Sequence, residues 1–350
     1  MREIMTYVGL DVHDETITAA WKRPQGDLRW MKVSHDEEGL ERLQRELWKG
    51  SVWAAYETSG VGFVPYDRLT EMGWKVSVLA TTRMPKSVKG KKRKTDLEDA
   101  KQILDVLMAH GECGTELPDV WIPPVGTRED REVERHRLHL GQVVGRIKTR
   151  IKSLLKVHGV KCPWVEKTPW TRKYRAWVKG LSTPEGGLAR SVGAVLASEW
   201  RMLEAAESEV KEMDREMGRL CEQPNYGPAV KAMTEIKGVG ALTALVFLLE
   251  LGDVKRFASR QQVGCYMGLT PTSHESGQAE NRKGHITRMG PSRVRLVLNQ
   301  AAWAFLRSDP YQRAWYEPLK KRAGGKKALV ALMRRLGILM WHRACDAIVA

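Results

Sequence analysis

The sequence predicts an α/β domain over residues 1–112, a long helical coiled-coil region over 113–226 and a mainly α domain over 227–350. Three observations lead there. The first eighty residues break into short apolar runs separated by turns, the pattern of strands with intervening helices. Two later segments space their apolar residues by threes and fours for about thirty residues each, which is a helical seam. From Ala229 the character changes to glycine-punctuated apolar stretches of helical length. At 350 residues the chain can hold two or three separate cores.

In order, Ile4–Val12, Thr16–Lys22 and Asp27–Val33 are predicted strands, the last two joined by a Pro-Gln-Gly turn. His35-Asp36-Glu37-Glu38 starts a helix carrying Leu40, Leu43 and Leu47 at helical spacing. Strand Ser51–Tyr56, helix Val64–Met72 and strand Lys75–Leu79 follow. Three strands, a helix and then β-α-β is the order of the ribonuclease-H-like fold, whose first and fourth strands lie side by side. That order places Asp11 beside Glu57. A helix over 96–109 carries Asp96 and Asp99 on one face, with Ile103, Leu104 and Leu107 turned inward. Glu98 points elsewhere and is solvated.

Four carboxylates, Asp11, Glu57, Asp96 and Asp99, form the oxygen donor set that hard divalent cations prefer. Two such ions about 4 Å apart would clamp both oxygens of a phosphodiester displacement. The charge balance agrees with a nucleic-acid partner: 58 Lys and Arg against 42 Asp and Glu, a formal +16. No run approaches the roughly 18 apolar residues of a membrane span, and the N-terminus lacks a signal-peptide pattern. Five scattered cysteines without a C-x-x-C pair argue against a disulfide scaffold or structural zinc. They fit a reducing cytoplasm, and a DNA partner would place the protein at the nucleoid. Between Arg83 and Lys94 the chain is strongly basic. Lys91, Lys92, Arg93 and Lys94 directly precede Asp96, as a backbone clamp would; a solvated loop is the plainer reading.

From Thr127 to His158, Leu140, Val144, Ile147, Ile151, Leu154 and His158 make a heptad-like seam, while Arg146, Lys148, Arg150, Lys152 and Lys156 make a basic face. A second helix, Val192–Leu220, carries Leu196, Leu203, Val210, Met213, Met217 and Leu220. Facing each other, the two would form an antiparallel coiled coil with the Trp- and Pro-containing stretch 159–187 as its tip. The basic face suits nucleic-acid contact; a plain spacer arm fits equally.

Farther on, Gly238-Val239-Gly240 leads into the apolar helix Ala241–Leu251 and resembles a helix-hairpin-helix turn. Its amides and helix N-terminus can bind one phosphate, or the glycines simply make a tight turn. After a helix at Arg260–Met267, a polar loop from Gly268 to Gly277 contains Ser273, His274 and Ser276 and continues into an arginine-rich segment. A serine before glycine among cations can act as a nucleophile, with Arg282, Lys283 and Arg288 on the scissile phosphate. Arg293 and Arg295 belong to the next helix and would grip a nucleic-acid backbone. The cluster Lys320–Lys327 is either a nucleic-acid surface or a solvated loop. His13 reads as a turn residue, and His274 either assists proton transfer or hydrogen-bonds the loop; both rank below the serine.

These residues together resemble the insertion sequence 110 group of transposases and DNA invertases, also called DEDD transposases. Asp11, Glu57, Asp96 and Asp99 fall on the four acidic positions of that group's RuvC-like domain. Gly238-Val239-Gly240, Gly252-Asp253, Arg256-Phe257, Gly268-Leu269-Thr270-Pro271, Ser276-Gly277 and Ala301-Ala302 match its C-terminal transposase domain. The resemblance implies recombination in which Ser276 attacks DNA to give a phosphoserine intermediate while the carboxylates hold Mg2+. It further implies a structured bridge RNA, encoded by the element, that pairs with donor and target DNA, and homodimers assembling into tetramers. The chain departs from the family at Glu275-Ser276-Gly277, where Ser-Ser-Gly is usual, which keeps Ser273 as runner-up nucleophile. It departs also at Ile236-Lys237 and at Thr287-Arg288-Met289-Gly290-Pro291. Competing classes are a metal-dependent nuclease without serine chemistry, an actin-like ATPase or kinase sharing the Gly-x-Asp strand end, and a catalytically silent nucleic-acid binder.

Overall fold

The computed structural model describes residues 5–23, 26–47, 50–58, 60–84, 95–164, 170–273 and 283–349. The chain divides into two compact units, Met1–Ile122 and Pro123–Ala350.

The first unit is built on a five-stranded sheet. Its strands are β1 (Met5–Val12), β2 (Thr16–Lys22), β3 (Arg29–Ser34), β4 (Ser51–Glu57) and β5 (Lys75–Leu79), in the spatial order β3-β2-β1-β4-β5. The first three strands run antiparallel as a meander, whereas β1–β4 and β4–β5 are parallel. The predicted adjacency of first and fourth strands is therefore present, and the arrangement is consistent with a ribonuclease-H-like fold.

Both faces of the central strands are covered, which is why these runs are nearly continuously apolar rather than alternating. On one face Val8 and Leu10 pack with Leu40, Leu43 and Leu47 of α1 (Glu37–Leu47) and Leu69 of α2 (Val64–Glu71). On the other, Tyr7, Ala20 and Ala55 pack against Ala100, Ile103, Leu104 and Leu107 of α3 (Asp96–Cys113). Gly9 sets how close that helix comes: a Cβ there would sit 2.1 Å from the Ala100 carbonyl oxygen and 2.5 Å from the Leu104 amide. A substitution at Gly9 would push α3, and with it Asp96, off the sheet.

Among its described residues the second unit is helical apart from one hairpin. Helices α4 (Val125–Val157) and α6 (Arg190–Glu222) run antiparallel, with Arg137 paired to Asp214 at one level and Lys148 to Glu207 at another. The short helix α5 (Arg172–Leu181) closes the far end, where Tyr174 and Val178 join Ile147, Ile151, Leu155, Leu196, Trp200 and Leu203 in one core. The seam on α4 is shifted from the predicted one. Leu138, Ile147, Ile151 and Leu155 are buried, Leu140, Val144 and Leu154 are half-buried, and His158 caps the helix in solvent. Large partners from α5 and α6, Tyr174 and Trp200, decide which face is covered, and heptad counting on one helix cannot see them.

Helices α7 (Gly227–Thr234), α8 (Ala241–Leu251), α9 (Arg260–Tyr266), α10 (Ser292–Ser308), α11 (Pro310–Ala323) and α12 (Gly325–Val349) complete this unit. Helix α8 is apolar on nearly all sides and forms the centre of the core. Between α9 and α10, β6 (Pro271–Ser273) and β7 (Lys283–Ile286) pair antiparallel where the sequence predicts only a polar loop. Three- and four-residue strands containing Pro271 and Gly284 offer no alternation to read.

Candidate active site

Asp11 stands near the end of β1, directly opposite Thr18 of β2, which in turn is opposite Lys32 of β3. Residues on one such rung share a face of the sheet, so Lys32 stands on the face that carries Asp11. On the other side Leu10 pairs with Tyr56, which brings Glu57 level with Asp11 at the carboxyl end of the neighbouring strand. Helix α3 supplies the rest. Its Thr95 cap accepts from the Glu98 amide, a Thr-x-x-Glu start, and Asp96, Glu98 and Asp99 all lie in the first turn. Acids there are favoured by the helix dipole, which offsets part of their mutual repulsion.

The side chains converge. His13 Nε2 lies 3.1 Å from Asp11 Oδ2 and 3.8 Å from Asp96 Oδ1. Lys32 Nζ donates to Asp96 Oδ2 at 2.7 Å. One ligand atom each from Asp11, His13 and Asp96 fall within 4.8 Å of one another, the spread expected around a single ion. Burial pushes the Asp11 carboxyl up; His13 opposes this, and the charges of Asp99 and Asp96 add to it. Asp96, held by its hydrogen bond to Lys32, is pulled down instead.

A divalent cation fits this set. Asp11, His13 and Asp96 supply oxygen and imidazole donors at the spread one ion needs, and the buried Thr18 hydroxyl beside Asp11 on the rung has no hydrogen-bond partner among the described residues. The mutual charge of Asp11, Asp96 and Asp99 is the repulsion that a bound cation removes. Of the four predicted acids, Asp11 and Asp96 meet at ligand distance, Asp99 is within electrostatic reach of Asp11, and Glu57 stands on the adjoining strand. Glu98 is exposed, and Lys101 donates to it, as its position predicts. His13 is more central than its rank as a turn residue implies. Lys32 carries no signal in the sequence, because its role depends on the register of three strands.

In the second unit, Ser276, His274 and Arg282 lie outside the described residues, as do the side chains of Ser273 and Lys283; so, in the first, do Lys91, Lys92, Arg93 and Lys94. Ser276 follows β6 by three residues in the chain. Arg288, just after β7, is exposed and holds a left-handed backbone at φ 56°. Arg293 and Arg295 lie on α10 as predicted, yet one guanidinium nitrogen of each is engaged within the protein. Arg293 Nη1 contacts Glu250 Oε1 at 3.1 Å, and Arg295 Nη1 donates to the carbonyls of Gly290 at 2.8 Å and Met267 at 3.2 Å. Lys148 and Arg150 are likewise turned to Glu207 and Glu199 of α6, while Arg146, Lys152 and Lys156 are exposed members of the predicted basic face. Gly238 has φ 85°, and a Cβ there would lie 2.6 Å from the Phe305 amide nitrogen, so close packing on α10 already accounts for it. Gly240 caps α8 with open space around it.

A second acid cluster, with no signal in the sequence, lies inside this unit. Glu134 of α4 is fully buried beside Glu250 of α8. Burial first and the Glu250 carboxylate second push the Glu134 carboxyl up to about 8. As a carboxylate Glu134 finds no donor among the described residues; protonated, it can donate to Glu250. Arg131 Nε meanwhile donates to the Leu249 carbonyl at 2.7 Å and the Tyr266 hydroxyl to that of Glu250 at 2.9 Å, satisfying the end of α8.

Residues 230–317 match the family described as Transposase IS116/IS110/IS902 family, and residues 8–159 match a second family described as Transposase, the DEDD type of IS110. The four acids fall within one span and Ser276 within the other. The chain carries both transposase domains of the IS110 family. Among similar proteins, the putative transposase y4qE of Sinorhizobium fredii is 26% identical, with 97% of this chain and 89% of that protein covered. The transposase for insertion sequence element IS1533 of Leptospira borgpetersenii is 24% identical over 96% of this chain and 94% of its own. The transposase for insertion sequence element IS1111A of Coxiella burnetii is 34% identical over 30% of each. This transposase is thus an enzyme of a mobile insertion element that cleaves and rejoins DNA strands. Among its described residues no helix is long and apolar enough to cross a membrane.

Proposed function

We propose that this transposase exchanges DNA strands through a phosphoserine intermediate on Ser276, guided by a structured bridge RNA that pairs with donor and target DNA. The observation that carries the reading is the convergence of Asp11, His13 and Asp96, with Asp99 and Glu57 beside them, at the carboxyl ends of the central strands of a sheet of the right topology. Asp11 and Asp96, assisted by Glu57 and Asp99, would hold Mg2+, which supplies Lewis-acid neutralisation of the phosphate charge. The Ser276 oxygen forms a bond to phosphorus as the bond from phosphorus to the departing strand's oxygen breaks. The serine proton passes to a base, and the departing oxygen gains one. Attack by the incoming strand's hydroxyl reverses these events and releases the serine, so no external energy source is required. Lys32 and His13 steady Asp96 and Asp11 in this role. The exchange takes place in a homodimer that assembles into a tetramer.

The test begins with sequencing the RNA that co-purifies with the protein, followed by joining assays on DNA matching its loops. Ser276→Ala is expected to abolish both joining and the covalent protein–DNA adduct while retaining RNA. Loss in Ser273→Ala with Ser276→Ala active would move the nucleophile. Metal-dependent cutting by Ser276→Ala without any adduct would establish the nuclease reading instead.

A further inference from the structure

The hairpin β6–β7 forms one wall of a groove of about 980 Å³ whose other walls include α11 and α12. Six cations among the described residues line it: Arg260, Arg288, Lys326, Lys327, Arg334 and Arg335. Among the described residues no acid lines the groove, and none of the six makes an ion pair. Several cations elsewhere in this unit are matched by contrast: Arg137 with Asp214, Lys179 with Glu204, and Lys148 and Arg175 with Glu207. Lys326 and Lys327 also sit in the first turn of the 25-residue helix α12, which has no acid there. Cations at a helix N-terminus add to the positive end of its dipole, so two sources of positive potential coincide. The Arg334 Nε is buried without a partner among the described residues.

The floor is different in kind. Leu269, Ile286, Trp315, Val330 and Ile338 make it apolar, and the Arg335 guanidinium stacks 4.8 Å over the Trp315 ring. The backbone of a duplex needs only the cationic rim. An apolar, aromatic floor beneath such a rim suits unpaired bases, which stack on it while their phosphates meet the cations. We propose that this groove holds a short unpaired segment of the DNA strand undergoing exchange. It would lie next to the hairpin whose two strands are joined through residues 274–282. The choice of DNA rests on the proposed role of Ser276.

The test measures binding of a fluorescein-labelled single-stranded DNA of about 12 nucleotides to the full chain, by anisotropy across a salt series. Arg260, Lys326 and Lys327 are exposed, so their joint replacement by alanine spares the core. That triple variant is expected to bind about tenfold more weakly or worse, with the slope of log affinity against log salt shallower by about 2, three contacts' worth for a single strand. A charge-matched control on α6, Arg201→Ala with Lys211→Ala and Arg215→Ala, is expected to stay within about twofold of wild type. Equal losses in both triples, or none in the first, would overturn the groove. An RNA of the same sequence that loses more affinity than the DNA would overturn the choice of DNA. Ser276→Ala separates the two readings. It should bind the oligonucleotide normally, and a covalent adduct formed by it would sink the serine assignment while leaving the groove standing.

Discussion

The two acid clusters of this transposase use similar residues to opposite ends. Around Asp11 and Asp96 the carboxylates lie at the end of the central strand and the start of α3, partly exposed, with a lysine and a histidine in contact and a buried hydroxyl lacking a partner among the described residues. Around Glu134 and Glu250 the carboxyls are buried, and Arg131 and Arg293 are committed to fixed partners on the same helix end. The first arrangement leaves coordination positions for an ion and a phosphate. The second is closed, and it resolves its excess negative charge by keeping a proton. Openness, more than acid count, separates a site from internal bracing.

The largest expected effect follows from disabling the first cluster. Asp11→Asn should lower metal-dependent joining by about a hundred- to a thousandfold, since one group stabilising transition-state charge is commonly worth about 3–4 kcal/mol. Folding, followed by circular dichroism, should be unchanged. Joining within about tenfold of wild type would remove the cluster from the mechanism. Next comes Arg293→Ala, which strips a partner from buried Glu250. Because the arginine is itself partly exposed, a stability loss of about 1–3 kcal/mol is expected in denaturant titrations, below the range for fully buried pairs.

The pH response sharpens the contrast. The Glu134 carboxyl titrates at about 8 in the fold, against an ordinary value of 4.5. A raised folded value means that its contribution is fully present below the unfolded value and is lost as pH climbs toward 8. Unfolding free energy should therefore fall with pH across that window, by at most about 1.4 kcal/mol per unit. Glu134→Gln should flatten the dependence and be the more stable protein at the upper end of the window; an unchanged slope would count against the shared proton. The smallest effect is expected at Lys32. Lys32→Met releases Asp96 from its hydrogen bond and should raise the Asp96 carboxyl back toward its ordinary value, visible by NMR titration. Joining should fall by about tenfold or less, because the pair is exposed to solvent.

Much of the first unit was legible in the sequence. The order of runs placed β1 beside β4, and the spacing of Asp96 from Ile103, Leu104 and Leu107 oriented α3 correctly. Lys32 and His13 were not legible as site members, since which residues of β2 and β3 stand opposite Asp11 depends on register, which composition does not encode. Glu134 was hidden for another reason. Residues 128–137 are charged at most positions, and nothing local distinguishes the one acid that the core around α8 covers. The seam of α4 shifted because its partners α5 and α6, rather than its own heptads, determine the buried face.

Whether the Asp11–Asp96 cluster is a divalent-cation site is tested most directly by Mn2+ binding followed by electron paramagnetic resonance. Saturable binding to the wild-type chain is predicted, with a loss of affinity of about tenfold or more in both Asp11→Asn and Asp96→Asn. Equal Mn2+ affinity in all three proteins would contradict it.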